Sequence, residues 1–471
     1  MLFIYPGNVD GEHPLGLLYL SSVLKKAGHE TDLFHLTPYK TEQIIGKGLL
    51  STSHMLKKVE TFKPDIVGFS VSSSEYLLCL DWARKIKDKF DIPIIFGGPH
   101  PTVDPLGTLS EKHVDMICVG EGEEALVELL NAIENGKNIT KIKNIWVKKN
   151  GHIYRNTLRP LIENIDALPY PDRDLIEIEY LNNKWNGASF MTSRGCPFQC
   201  SYCINHFLQK LYKNKGSYVR YRNVRNVIDE IKYVIEKYKI EKLTFIDETF
   251  SFNKKHIIEL CKIYEKEVGL PFVCQTRANV VDKKIFLALK NAGCEIVHIG
   301  IESGNEFIRN SVMNRNMNEE SILNAFKLAK EVGLRTSAYN MVGLPYETES
   351  MIWDTIKLNR EAKPDETLCT ILSPFKGTEL EKVCRENKWI KNDISESYYT
   401  EMTHEIPTIS CEDVISYQQL FQLYINLPEK YFPLINSLRK GLALTAKNKT
   451  TRRIVFQLNR ILDPVIIKLL K

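Results

Sequence analysis

The sequence predicts an α/β protein with three parts. An N-terminal doubly wound parallel sheet of Rossmann-like type comes first, then a partial (β/α)6 barrel, then a mainly helical C-terminal segment. Three observations predict it. Residues 1 to about 135 alternate short apolar runs with amphipathic stretches of helical period. The alternation lapses and then resumes at residue 188 for six further repeats. Many of the runs end in glycine, hydroxyl, carboxylate or cysteine residues, as they do where ligands bind beyond the carboxyl ends of parallel strands. A chain of 471 residues has room for two to three ordinary domains. The predicted boundaries are 1–140, 141–187, 188–375 and 376–471.

In order, Leu2–Tyr5 reads as a strand, Pro14–Ala27 as a helix closed by Gly28, and Thr31–Phe34 as a strand. The runs Asp65–Ser70, Pro93–Gly98 and Asp115–Gly120 complete the first sheet, continuous enough in apolar residues to be buried on both faces. Small or polar residues follow them: Pro6-Gly7, Ser70-Val71-Ser72-Ser73-Ser74, Gly97-Gly98 and Gly120-Glu121-Gly122-Glu123. Glycines there let a large ligand approach the backbone, or simply make tight turns. No G-x-G-x-x-G follows the first strand, which argues against NAD. Asn150-Gly151 between Ile145–Lys149 and His152–Arg155 signals a hairpin, expected as part of a connector that continues through Leu168-Pro169-Tyr170-Pro171.

From 188 the expected strands are 188–192, 242–246, 272–275, 296–301, 336–341 and 367–371, with helices over 224–238, 254–268, 319–332 and 349–362. The first strand runs into Arg194-Gly195-Cys196-Pro197-Phe198-Gln199-Cys200-Ser201-Tyr202-Cys203. Three thiolates on one short loop can hold three corners of an iron–sulfur cube and leave the fourth iron open. The same spacing with His206 fits a structural Cys3His zinc site, which would make the chain a zinc-stabilised binding protein. Other strands end in Asp247-Glu248-Thr249-Phe250, Glu302-Ser303-Gly304 and Gly343-Leu344-Pro345-Tyr346-Glu347, and Arg277 follows the third. Each acid alone reads as a helix cap. Gathered on the rim of the cysteine loop, they could hold hydroxyls and an amine, and that favours the cluster.

The cysteine loop with its aromatic Tyr202, Gly300-Ile301-Glu302-Ser303-Gly304 and Gly343-Leu344-Pro345 resemble the radical S-adenosylmethionine (SAM) superfamily. The order of domains is similar to its cobalamin-binding branch of methylases, anaerobic ring cyclases and lipid-modifying enzymes. The resemblance implies that Cys196, Cys200 and Cys203 ligate a [4Fe-4S] cluster whose open iron binds the methionyl amine and carboxylate of SAM. It places Asp247-Glu248 at the amine, Glu302 at the ribose, Arg315 at the methionyl carboxylate and Gly343 at the adenine side. It implies reductive cleavage to a 5′-deoxyadenosyl radical and, with cobalamin, methylation of an unactivated carbon. Cyclisation or C–C bond formation without methyl transfer is the alternative. A flavodoxin- or ferredoxin-type protein would supply the electron. In the first domain the resemblance places Ser70, Ser72, Gly97 and Gly98 against the cobalamin tail, with Glu121 on the same edge. The D-x-H-x-x-G motif of cobalt ligation is absent in strict form. Asp10-Gly11-Glu12-His13-Pro14-Leu15-Gly16 keeps only H-x-x-G, so base-off cobalamin without a strong His13 ligand is expected.

Eleven cysteines without a signal-peptide pattern imply a reducing, cytoplasmic setting. The eight outside the loop read as core packing. The net charge is +5, but residues 436–471 carry nine Lys or Arg against the single acid Asp463. The rest is slightly acidic, so nucleic-acid binding by the body is not expected. The basic, apolar stretch 452–471 suits a cap on the barrel or peripheral contact with an anionic membrane, which would go with a lipid substrate rather than another small molecule.

Overall fold

The computed structural model describes residues 1–7, 14–35, 49–177, 187–392 and 401–445. His13 and the stretch 452–471 lie outside the described residues. The chain forms two compact units: Met1–Met191 with Leu208–Thr244, and Thr192–Phe207 with Phe245 onward.

The first unit is built on a seven-stranded sheet. Its strands are β1 (Leu2–Tyr5), β2 (Asp32–His35), β3 (Val67–Ser70), β4 (Ile94–Gly97), β5 (Met116–Cys118), β6 (Ile145–Lys149) and β7 (His152–Tyr154). They lie in the order β2-β1-β3-β4-β5-β6-β7. The first five are parallel, and the chain reverses direction across the sheet between β1 and β3. That switch point is where an open α/β sheet leaves a crevice for ligand. Phe3, Ile4, Val67, Phe69, Ile95 and Phe96 are almost fully buried, as parallel strands covered on both faces require.

The hairpin is not a connector. It adds β6 and β7 to the sheet as antiparallel strands. Ile145 and Val147 alternate into the core, while Asn150 (φ 52°) and Gly151 (φ 76°) make the left-handed turn that their sequence signals. The segment after it is anchored as well. The Asp172 carboxylate accepts from Ser21 Oγ at 2.5 Å and pairs with Lys25 at 2.7 Å on the first helix (α1, Leu15–Lys26).

The second sheet has six strands in chain order. They are β8 (Ala188–Phe190), β11 (Leu243–Phe245), β12 (Phe272–Thr276), β13 (Cys294–Glu302), β14 (Arg335–Val342) and β15 (Glu366–Ile371). The pairs β12–β13, β13–β14 and β14–β15 are parallel. Two-residue strands β9 (Ser193–Arg194) and β10 (Arg220–Tyr221) lie outside this sheet. Helices of the second unit begin where side chains accept a first-turn N–H: Asn253 from His256, Asp282 from Ile285 and Asn318 from Ser321. In the C-terminal region, helix Cys411–Asn426 packs Val414, Tyr417, Phe421 and Tyr424 against Val342, Ile352, Ile356 and Ile371. No helix among the described residues is long and apolar enough to cross a membrane.

Candidate active site

The cysteine loop is fixed at its root by Asp247. That carboxylate is buried and accepts from Thr192 N at 3.0 Å, Thr192 Oγ1 at 2.7 Å and Ser193 Oγ at 2.5 Å. Burial pushes its pKa up, and these donors oppose the shift. Asp247 therefore ties the loop's entry to the end of β11 and has little left to offer a ligand. This corrects the expectation that pairs it with Glu248. Glu248, the next residue, is exposed at the strand end. Further along, Ser201 N donates to Met313 O at 3.0 Å, Ser201 Oγ to Val312 O at 2.6 Å, and Leu380 N to Ser201 O at 3.0 Å. The loop is thus held on three sides.

Each sulfur faces polar groups. Cys196 Sγ stands 3.6 Å from Thr249 Oγ1 and accepts from the backbone N–H of Phe198. Cys200 Sγ accepts from Arg277 Nη1 at 3.1 Å, and Cys203 Sγ from Asn205 Nδ2 at 3.6 Å. Burial pushes the Cys203 thiol up to about 12 and that of Cys196 in the same direction. Thiols so buried become thiolates only against a compensating cation, and a metal supplies one. Three sulfurs with donors turned toward them fit a three-thiolate cluster site. His206 sits in the first turn of the helix that follows, its N–H donating to Cys203 O.

Beside the loop, the buried Arg315 and the half-buried Glu302 and Tyr202 form one group. Arg315 Nη1 is 3.1 Å from Glu302 Oε1, Arg315 Nη2 donates to Gly300 O at 2.7 Å, and Nη1 also donates to Tyr202 Oη. Glu302 is reached through a register shift after Gly300 and sits at φ 64°, a left-handed conformation that a glutamate rarely takes. A Cβ on Gly300 would lie 2.6 Å from Glu302 Oε1 and 3.0 Å from Arg315 Nη2, so a side chain there would make this pair shift. Burial holds the Glu302 pKa above the usual carboxylate range, with Arg315 opposing. The structure therefore brings Glu302 and Arg315 into contact with each other and with the loop's aromatic residue.

Gly343 turns at φ 78° and is clamped from both sides. Its N–H donates to Glu347 Oε2 at 2.6 Å, and His404 Nε2 donates to its carbonyl at 2.7 Å. Glu347 is fully buried, and burial raises its pKa to about 8. Burial also lowers His404 to about 4, which keeps it neutral.

In the first unit, Gly98 takes φ 99°, and a Cβ there would meet Val71 N at 3.0 Å. Ser70, Ser72, Gly97 and Gly98 are all half-buried at the ends of β3 and β4, which lie side by side. Ser72 Oγ is engaged inside its own loop, with Ser74 Oγ at 2.8 Å and the Glu75 carboxylate. Glu121 departs from expectation. Its carboxylate takes Arg220 in a two-pronged pair at 2.8 and 3.1 Å and accepts from Ile162 N at 3.0 Å. That is an internal anchor, not a free ligand contact.

Comparison with known proteins agrees with this geometry. Residues 190–358 match the model of the radical SAM superfamily, and residues 10–130 match that of the B12-binding domain. An uncharacterized methyltransferase of Pyrococcus horikoshii is 31% identical over 373 residues, covering 78% of this chain and 77% of that protein. The chain belongs to the cobalamin-binding branch of the radical SAM superfamily. An anaerobic magnesium-protoporphyrin IX monomethyl ester cyclase of Rubrivivax gelatinosus is 26% identical, covering 81% of this chain and 69% of its own length. The fold matches the cobalamin-dependent SAM radical enzyme OxsB, solved with aqua-cobalamin and SAM, at a TM-score of 0.69 and 17% identity, over 97% of this chain and 72% of that one.

For this radical SAM chain, sequence reasoning missed Thr249, Asn205, Glu347 and His404 as groups around the site, and noted Arg277 without its contact. Thr249 and Glu347 stand inside quoted strand-end motifs, so closer attention to those runs would have raised them. No local signal marks His404, which lies 61 residues from Gly343.

Proposed function

We propose that the chain is a cobalamin-dependent radical SAM methyltransferase acting on an unactivated carbon of a small-molecule or lipid substrate. The carrying observation is the cysteine loop, backed by Arg277, Thr249 and Asn205, in contact through Tyr202 with the Glu302–Arg315 pair. A chain of this family with a B12-binding match at its N-terminus has the parts for both cofactors.

In this reading Cys196, Cys200 and Cys203 would hold a [4Fe-4S] cluster, and SAM would bind against it. The cluster, when bound, supplies the electron that breaks a C–S bond of SAM, and cobalamin supplies a carrier for the methyl group. The protein's part is position and electrostatics. Glu248 offers the carboxylate for the methionyl amine. Arg315 offers a cation for the methionyl carboxylate, and Glu302 an acceptor for the ribose hydroxyls. The Gly343 turn, locked by Glu347 and His404, shapes the adenine side. Ile308, Met313, Leu344, Leu372 and Leu380 form an apolar floor against which Tyr202 packs, and such a floor keeps water from a reactive site. Ser70, Ser72, Gly97 and Gly98 give cobalamin's tail a narrow polar edge. A flavodoxin- or ferredoxin-type donor delivers the electron.

The test is anaerobic reconstitution with SAM, unmethylated hydroxocobalamin and a low-potential reductant, so that SAM is the only methyl source. Formation of both 5′-deoxyadenosine and S-adenosylhomocysteine is expected, and Cys200→Ala should abolish both. Deoxyadenosine without S-adenosylhomocysteine would refute methyl transfer. It would point to the second reading, a cyclising or C–C bond-forming enzyme, which the likeness to the Rubrivivax cyclase favours.

A further inference from the structure

Arg277 follows β12 and is buried, with 6% of its surface exposed. Its guanidinium makes four contacts. Nη1 donates to Cys200 Sγ at 3.1 Å, Nη2 to Arg315 O at 2.5 Å and Nε to Asn279 Oδ1 at 3.3 Å. Its face lies 3.8 Å from the ring centre of Phe198, itself part of the cysteine loop. Arginines buried this deeply are normally paired with a carboxylate, because an unpaired buried charge is costly. Arg173 and Arg222 in the same chain have Glu230 and Arg315 has Glu302, while Arg309 is met by three backbone carbonyls. Among the described residues Arg277 has no carboxylate partner. A carbonyl, an amide oxygen and a sulfur receive its protons. Of these three, only the sulfur can become an anion.

We propose that Arg277 is a positioning residue for the cluster: it fixes Cys200 through Phe198 and the N–H···S bond, and it favours the reduced cluster electrostatically. The proposal rests on the reading that Cys196, Cys200 and Cys203 hold a [4Fe-4S] cluster. Reduction adds one electron, drawn from the external donor, to a cluster already negative through its thiolates. A fixed cation bonded to one ligand sulfur stabilises the product more than the reactant. Hydrogen bonds to sulfur and local charge are among the factors that set such potentials. The contact to Arg315 O also ties the Cys200 side of the loop to the segment that carries Arg315. One side chain thereby links the cluster's ligand to the SAM-facing pair.

The experiment uses the full chain, reconstituted anaerobically, as wild type, Arg277→Met and Arg277→Lys. Iron and sulfide are measured first, then a potentiometric titration is followed by EPR. Arg277→Met should load iron but show a more negative midpoint. At fixed potential its reduced-to-oxidised ratio should fall about tenfold, which is about 59 mV for one electron. Arg277→Lys should lie nearer wild type. If Arg277→Met cannot hold iron but Arg277→Lys can, the cation's role is upheld by that rescue. A loaded Arg277→Met with the wild-type midpoint would overturn the proposal. So would equal failure of both variants to load, which would leave only a packing role. Wild-type protein that takes up no iron would instead sink the cluster reading itself.

Discussion

Two clusters each set one carboxylate against arginine, and they differ in how directly the charges are met. In the first unit, Glu230 lies between Arg173 at 2.7 Å and Arg222 at 2.5 Å. Arg173 also donates to Ser189 O and faces the Phe190 ring, while Arg222 donates to Met191 O and Asn226. Both guanidiniums touch Glu230 directly and Arg222 also has Asp166 at 3.8 Å, so every charge in that cluster has an opposite charge within reach. In the second unit, Glu302 has one guanidinium, a tyrosine hydroxyl and a left-handed backbone, and among the described residues the neighbouring Arg277 has no acid. A closed network holds segments together. An open one leaves charge and strain for a ligand to complete.

The largest expected effect breaks the closed side of this comparison. Glu230→Ala removes the carboxylate that two buried guanidiniums share, leaves Arg173 without an acid and Arg222 with only Asp166 at 3.8 Å, and should cost about 3–5 kcal/mol of stability. Urea unfolding followed by circular dichroism measures it. A loss below about 1 kcal/mol would mean that the cluster is not closed in the sense argued. On the open side, Glu302→Gln should leave iron content unchanged and destabilise much less. It should weaken SAM binding about tenfold, about 1.4 kcal/mol, by equilibrium dialysis of the reconstituted protein. Unchanged affinity would place the ribose elsewhere.

The smallest effect sharpens the contrast with a carboxylate that, among the described residues, has no cation in reach. Burial raises Glu347 from 4.5 to about 8, while its Oε2 accepts from Gly343 N and Leu344 N. Between those values the folded chain keeps a proton that the unfolded chain releases. Stability therefore falls as pH rises across that window, by at most about 1.4 kcal/mol per pH unit, and levels off above it. Glu347→Gln should flatten the decline of melting temperature between about pH 6 and about pH 8. A variant that declines as steeply as wild type would contradict the assignment.

Legibility from sequence followed distance along the chain. The six strands of the second sheet and the cysteine loop were readable because their signals are local: apolar runs, turn residues and a ten-residue motif. Glu302 was readable from its motif, but its partner Tyr202 lies 100 residues away, and Arg277 lies 77 from Cys200. Asp247 and Glu121 were read as ligand contacts because an acid at a strand end looks the same whether it faces a ligand or its own chain. Their true partners sit 55 and 99 residues off. The hairpin was taken for a connector because its turn is written in Asn150-Gly151, whereas the open edge of β5 that it covers is not. The missing aspartate spacing before His13 concerns residues outside those described.

The most direct test of the central claim is the EPR spectrum of the reduced, reconstituted protein with and without SAM. A cluster held by Cys196, Cys200 and Cys203 has one iron open to the methionyl group. The spectrum should therefore be that of a reduced [4Fe-4S] centre, and it should change when SAM is added. A [4Fe-4S] spectrum indifferent to SAM, or protein that carries zinc in place of iron, would contradict the account.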